Sequence, residues 1–182
     1  MKILITGFGS FLAHEVNPAE KVALELKKEH YPTVILPVSY AQAKTDFLKI
    51  PALRSYDFIL SLGLASGRKY LSLEQTAYNE MNASHPDNDG VCKMGEAIIA
   101  GGKAFLKTSV DLVKIHDALR EAGIFSDIST DPGRYICNEV YYLDLASGVS
   151  SLFVHFPATE TQSIEKDYEA AKGILKAIKS SK

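Results

Sequence analysis

Lys2-Ile-Leu-Ile-Thr6-Gly7-Phe8-Gly9, followed by Asn17-Pro18, is the stretch that decides the class of fold. Lys2 to Thr6 is a compact apolar run, the pattern of a buried strand. Gly7 and Gly9 allow a tight turn after it. Asn17 reads as an N-cap and Pro18 as a first helical position. Ala19 to Glu29 then continues as a helix, with Val22, Leu24 and Leu26 among charges. The same opening superficially resembles a signal peptide. Its apolar part is short, broken by two glycines and preceded by one basic residue, so a first buried strand is the expectation.

Working outward, strand and helix patterns alternate with short connections. Thr33 to Val38 reads as a strand, Ala41 to Leu53 as a helix bent or ended by Pro51, and Tyr56 to Leu64 as a strand ending near Gly63. Leu71 to Asn79 alternates as another strand. Met81 to Lys107 is irregular and holds the turn signals Pro86-Asp-Asn-Asp-Gly90 and Gly101-Gly102, so it is expected to cover a site or form an interface. Asp111 to Ala122 is an amphipathic helix with Gly123 behind it. Phe125 to Thr130 and Ser151 to Phe156 are strands, and Ser163 to Ala177 is a closing amphipathic helix. Alternation of this kind predicts an α/β protein, a three-layer α/β/α sandwich around a mixed, mostly parallel sheet, with residues 1–182 forming one domain.

The bulk properties exclude several classes. Among 182 residues the formal charge is −2, with 46% hydrophobic residues, and no basic cluster runs along a face as nucleic-acid binding would need. No stretch is long and apolar enough to span a membrane. The two cysteines fit no disulfide or metal framework, which favours a reducing, cytoplasmic setting. The five histidines show no ligand spacing. Asp87-Asn-Asp-Gly90 starts like a calcium loop, but Val91 stands where a ligand belongs, so it reads as a turn. No metal or cofactor is expected.

Cys137 is the residue with the clearest chemistry. It follows the turn formers Asp131-Pro132-Gly133 and opens a helical pattern, where the positive end of the helix dipole favours a thiolate. His155 lies in the last apolar run. A lone cysteine with a distant histidine can be a nucleophile and its base, although a cysteine in an apolar helix is also ordinary core. In a mostly parallel sheet, sites form at the carboxyl ends of strands, and Gly7, Gly63 to Arg68 and His155 all fall there.

Six segments carry a resemblance to a known family, in order and nearly throughout the chain. They are Thr6-Gly-Phe-Gly-Ser-Phe11 with Asn17-Pro18, Gly63-Leu-Ala-Ser-Gly-Arg68, Leu73-Glu-Gln-Thr-Ala-Tyr-Asn79, Pro86-Asp-Asn-Asp-Gly90, Tyr135-Ile-Cys-Asn138 and Val154-His-Phe-Pro157. The set resembles pyroglutamyl peptidase I, a family of cysteine peptidases. The resemblance implies removal of N-terminal pyroglutamyl residues from peptides by Cys137 as nucleophile, His155 as general base and acid, and Glu74 orienting the imidazole. It implies Phe8 and Phe11 about the substrate ring, helped by Tyr135 and Ile136. It also implies a homo-oligomer, dimer or tetramer, with Met81 to Lys107 as a candidate interface.

The chain departs from the family at Ser10 and Leu12-Ala13, where a proline and two glycines are usual. It departs again at Ser84-His85, where Arg-Ile is common. His85 falls at an apolar pocket position, where it could narrow the slot or contact a different substrate. Arg68 matches the family and reads as a structural ion pair, a cap or a substrate contact. Two other readings compete: a thiol amidase with a retuned pocket, and a nucleotide-binding module. The second lacks both the third glycine of the fingerprint and an acidic residue after the second strand.

Overall fold

The structure, a computed structural model, describes residues 1–11 and 16–180. Leu12-Ala13, one of the departures above, lies outside the described residues. The chain begins with β1 (Ile3–Phe8), α1 (Pro18–Lys28), β2 (Thr33–Leu36) and α2 (Tyr40–Leu48). Asn17 caps α1 as its spacing predicted: Oδ1 accepts from the Ala19 amide at 3.0 Å, while Nδ2 donates to the Gly9 carbonyl at 2.9 Å. Gly7 works differently from the expectation of a turn. It lies inside β1, and a Cβ there would come 2.9 Å from the Ala19 carbonyl oxygen and 3.0 Å from Ala23 Cβ, so its bareness lets α1 pack onto the strand. The helix expected over Ala41 to Leu53 stops at Leu48, short of Pro51.

The middle of the chain supplies β3 (Phe58–Leu64), β4 (Leu71–Glu74), β5 (Thr76–Tyr78), β6 (Met81–Ala83), β7 (Lys93–Glu96) and β8 (Phe105–Lys107). The single strand expected over Leu71 to Asn79 is therefore two, broken at Gln75. The irregular 81–107 segment holds three short strands, pairing as two antiparallel ribbons, β5 with β8 and β6 with β7. The turn at Pro86 to Gly90 is built on Asp87, whose carboxylate accepts from the amides of Tyr40, Asp89 and Val91. Asn88 ties the same turn to Val38 and Ser10, across the ends of β2 and β1.

The rest is α3 (Leu112–Glu121), β9 (Ser126–Ser129), α4 (Ile136–Ala146), β10 (Ser151–Phe156) and α5 (Ile164–Lys179). The central sheet has the order β2-β1-β3-β10-β4-β9. The first four strands run parallel; β4 is antiparallel to β10, and β9 runs with β4. Helices α1, α3 and α5 cover one face and α2 and α4 the other, giving the expected three layers.

Side chains alternate across a strand, and here the two faces carry different chemistry. Toward α1, α3 and α5 point Ile3, Ile5, Phe58, Leu60, Leu62, Leu71, Leu73, Leu152, Val154 and Phe156, all buried. The opposite face carries Thr6, Ser61, Ser72, Glu74 and His155, interleaved with Leu4, Phe8, Ile59 and Phe153. A run such as Leu71-Ser72-Leu73-Glu74 thus anchors one core with its leucines and delivers polar groups beneath α4 with the residues between.

Candidate active site

Gly63, at the end of β3, sits in register with His155 on β10. On the same face, a Cβ at Gly63 would lie 2.8 Å from the Phe153 ring and 3.1 Å from Cys137 Sγ. The missing side chain makes the notch that holds the thiol, on the same face as the imidazole. Phe153 is opposite Glu74 across the antiparallel β10–β4 pair, which places Glu74 diagonally behind His155. His155 Nδ1 is 2.7 Å from Glu74 Oε1. The imidazole is 3% exposed and the carboxylate 0%.

Cys137 lies in the first turn of α4. Asn138 fixes that turn: its Oδ1 accepts from the Tyr78 amide, and its Nδ2 donates to the carbonyls of Tyr78 and Glu80. Tyr141, a turn further on, donates to the Glu74 carbonyl at 2.6 Å. No side chain caps α4, whose N-cap is Tyr135. The amides of its first turn are thus left for whatever occupies the space in front of them.

That space is a cavity of about 470 Å³. Cys137, His155, Phe8, Phe11, Tyr135, Ile136 and His85 all line it, while Glu74 stands behind His155 and does not. The rings of Phe11, His85 and Tyr135 form a cluster, with centroids 4.6 Å apart for His85 and Tyr135 and 5.4 Å for Phe11 and Tyr135. The Tyr135 hydroxyl donates to the Pro86 carbonyl, tying the Asp87 turn to the start of α4.

Arg68 has a larger part here than its sequence context indicated. Its Nη1 donates to Glu74 Oε1 at 2.6 Å and its Nη2 to the Asp131 carbonyl at 2.8 Å, and the side chain lines the cavity. The ion pair read for it in the sequence is present, with Glu74 as its partner. Asp131, Pro132 and Gly133, read only as turn formers, also line the cavity.

Burial alone would push the Glu74 carboxyl up. The hydrogen bond and charge of His155 outweigh it, with Ser129 and Arg68 adding, and the carboxyl lies below its ordinary value. Two effects oppose at Cys137, since the helix start favours a thiolate and loss of water favours the thiol. Burial pushes the resting thiol up to about 12, and the negative charge of Glu74 adds to this. The cysteine's own amide and Arg68 oppose the rise and do not overcome it. The proton must therefore pass to a neighbouring base when the sulfur reacts. With Glu74 accepting from Nδ1–H, the Nε2 of His155 is left as the ring's basic nitrogen, on a side chain that lines the same cavity as the thiol. The arrangement provides a thiol, a base held in one tautomer, an open helix start and an apolar wall, the components of acyl transfer.

Among the described residues, no group of three or more histidines, cysteines or carboxylates is placed to hold a metal, and no helix is long and apolar enough to cross a membrane. Residues 1–178 match the pyroglutamyl peptidase family. The pyrrolidone-carboxylate peptidase of Pyrococcus furiosus is 33% identical over 177 residues, covering 91% of this chain and 85% of its own. That of Halalkalibacterium halodurans is 33% identical over 170 residues, covering 87% and 84%. Among solved structures, the pyrrolidone carboxyl peptidase of Fervidobacterium islandicum AW-1 superposes with a TM-score of 0.92 at 32% identity, over 98% of both chains. With sheet and sequence in agreement over nearly its full length, the chain belongs to the pyroglutamyl peptidase family.

Proposed function

We propose that this protein is a cysteine peptidase that hydrolyses the amide bond after an N-terminal pyroglutamyl residue, with Cys137, His155 and Glu74 as its triad. The observation that carries the reading is that buried His155, backed by Glu74, faces the same cavity as the Cys137 thiol in a chain of this family. His155 Nε2 takes the thiol proton as Cys137 Sγ attacks the scissile carbonyl carbon. The carbonyl oxygen becomes an oxyanion beside the first-turn amides of α4, with the Cys137 N–H as one donor. As the C–N bond breaks, His155 returns the proton to the leaving amine and a thioester remains. Water, deprotonated by His155, attacks the thioester; pyroglutamate departs and the proton returns to sulfur.

The aromatic end of the cavity suits a flat, neutral lactam and disfavours an open glutamyl end, whose charges would lose water there without gaining partners. His85 in that wall favours a second reading, a thiol amidase whose pocket is retuned toward another small acyl group. Exposed Met94 and Phe105 support the 81–107 segment as a contact with a second copy of the chain. The unpaired cysteines support a cytoplasmic setting.

The test is hydrolysis of a fluorogenic pyroglutamyl amide under reducing conditions. Turnover is expected in the wild type, with none in Cys137→Ser and a loss on the order of 10⁴-fold in Glu74→Gln, which disturbs the tautomer. A folded wild type that leaves the pyroglutamyl amide intact while cleaving another small acyl amide would favour the second reading.

A further inference from the structure

The wall of the cavity divides by strand. Phe8 and Val38 come from the ends of β1 and β2, whereas Asp131 follows β9 and Arg68 precedes β4. Cys137 Sγ lies over β3, and His155 stands on β10, the next strand toward β4 and β9. If His155 protonates the leaving amine, the leaving group lies on its side of the sulfur, and the acyl ring lies on the side of Phe8. This inference rests on the peptidase reading. We propose that the half of the cavity bounded by Arg68 and Asp131 binds the residue that follows pyroglutamate, and that Asp131 selects a cationic side chain there.

The charges support a cation. Arg68 is matched by Glu74 at 2.6 Å. Arg134 is shared between two carboxylates, with Nη1 at 2.6 Å from Asp131 Oδ1 and Nε at 3.1 Å from Glu80 Oε2. Its guanidinium is held 3.7 Å over the Tyr78 ring. One cation for two carboxylates leaves a surplus negative charge beside the cavity. Asp131 Oδ1 also accepts the Gly133 amide, while Oδ2 has no hydrogen bond among the described residues, and the side chain is 66% exposed. A lysine or arginine after the scissile bond would meet this free oxygen. At such exposure the gain is a few-fold and is screened by salt.

The experiment measures kcat/KM for three pyroglutamyl peptides carrying lysine, norleucine or glutamate in the second position, at low and high ionic strength. At low salt the lysine peptide is expected to exceed the norleucine peptide about two- to fivefold, and the glutamate peptide to fall below both. The lysine preference should shrink toward unity in high salt and in Asp131→Asn, where the asparagine oxygen can still accept the Gly133 amide. It should also shrink, by a different route, in Glu80→Gln, which leaves Arg134 wholly to Asp131. A flat series in the wild type overturns the subsite, as does a lysine preference that survives in Asp131→Asn. A preference for glutamate also overturns it and assigns the position to Arg68. If none of the three peptides is cleaved, the peptidase reading itself fails; cleavage with flat ratios removes only the subsite.

Discussion

Glu74 Oε1 receives two donors at once, His155 Nδ1 and Arg68 Nη1. A buried carboxylate is costly without such partners, so on the proposed mechanism Arg68 would act through Glu74. In Arg68→Gln the Glu74 carboxyl loses a cationic partner and its value rises. On the proposed mechanism an ionised Glu74 holds the His155 tautomer, so the acid limb of the kcat/KM profile should move to higher pH. Arg68→Lys, which keeps the charge without the forked geometry, should restore part of the shift. An acid limb that stays in place in Arg68→Gln would reduce Arg68 to a prop for the loop at Asp131. Cys137 and His155 were singled out in the sequence by residue type and local run, and folding brings both to one cavity. Arg68 was read as an ion pair, a cap or a substrate contact, and only folding names its partner, Glu74. The thiol is subject to opposing effects: helix position favours the anion, while the partial burial that folding imposes raises its value.

The elements place these residues through contact of α4 with the sheet, and Gly63 sets how closely they meet. Gly63→Ala would drive a methyl against the Phe153 ring and Cys137 Sγ. The expected result is overpacking that costs about 1–3 kcal/mol, together with a fall in turnover larger than that loss of stability would produce, because the displaced atom is the proposed nucleophile. Thermal melting and kcat measured on the same preparation check this; an alanine variant with full activity would mean that α4 shifts without cost. Most elements were readable from periodicity and punctuation, as with Asn17-Pro18 before α1 and Pro51 after α2. The break at Gln75 was not. Leu71-Ser-Leu-Glu74 and Thr76-Ala-Tyr78 share one alternation, yet the first lies between β10 and β9 and the second pairs with β8. Period alone carries no record of the partner strand. The short strands β6, β7 and β8 were hidden for a similar reason, since exposed residues such as Met94 and Phe105 give no alternating pattern.

At the scale of the whole molecule, the core holds carboxyl groups beyond the triad, and these set how stability varies with pH. Asp144, two turns along α4 from Cys137, accepts from the Ser61 hydroxyl at 2.6 Å, and Ser61 in turn accepts from Thr6; Asp144 Oδ1 has no hydrogen-bond partner among the described residues. Burial raises Asp144 to about 8, only partly opposed by Ser61. Burial likewise raises Glu139 and Asp167 to about 7 each, with Lys44 and Lys93 opposing at Glu139 and Gln162 at Asp167. For each of these groups the folded state binds the proton more tightly than the unfolded chain. Between the unfolded value near 4 and the folded value near 7 or 8, the native protein holds more protons, so stability falls as pH rises through that window. Glu74 and Asp131 are shifted the other way, and their contribution is lost as pH falls below the ordinary carboxylate range. The two trends together predict a maximum in the mildly acidic range. Melting temperature followed from pH 4 to 8 should therefore decline, by a few degrees per kcal/mol lost. Asp144→Asn removes the largest of the upward-shifted groups and should flatten the decline without abolishing it. A slope unchanged in Asp144→Asn would mean that Asp144 is ionised in the folded protein at neutral pH, with its second oxygen reached by water.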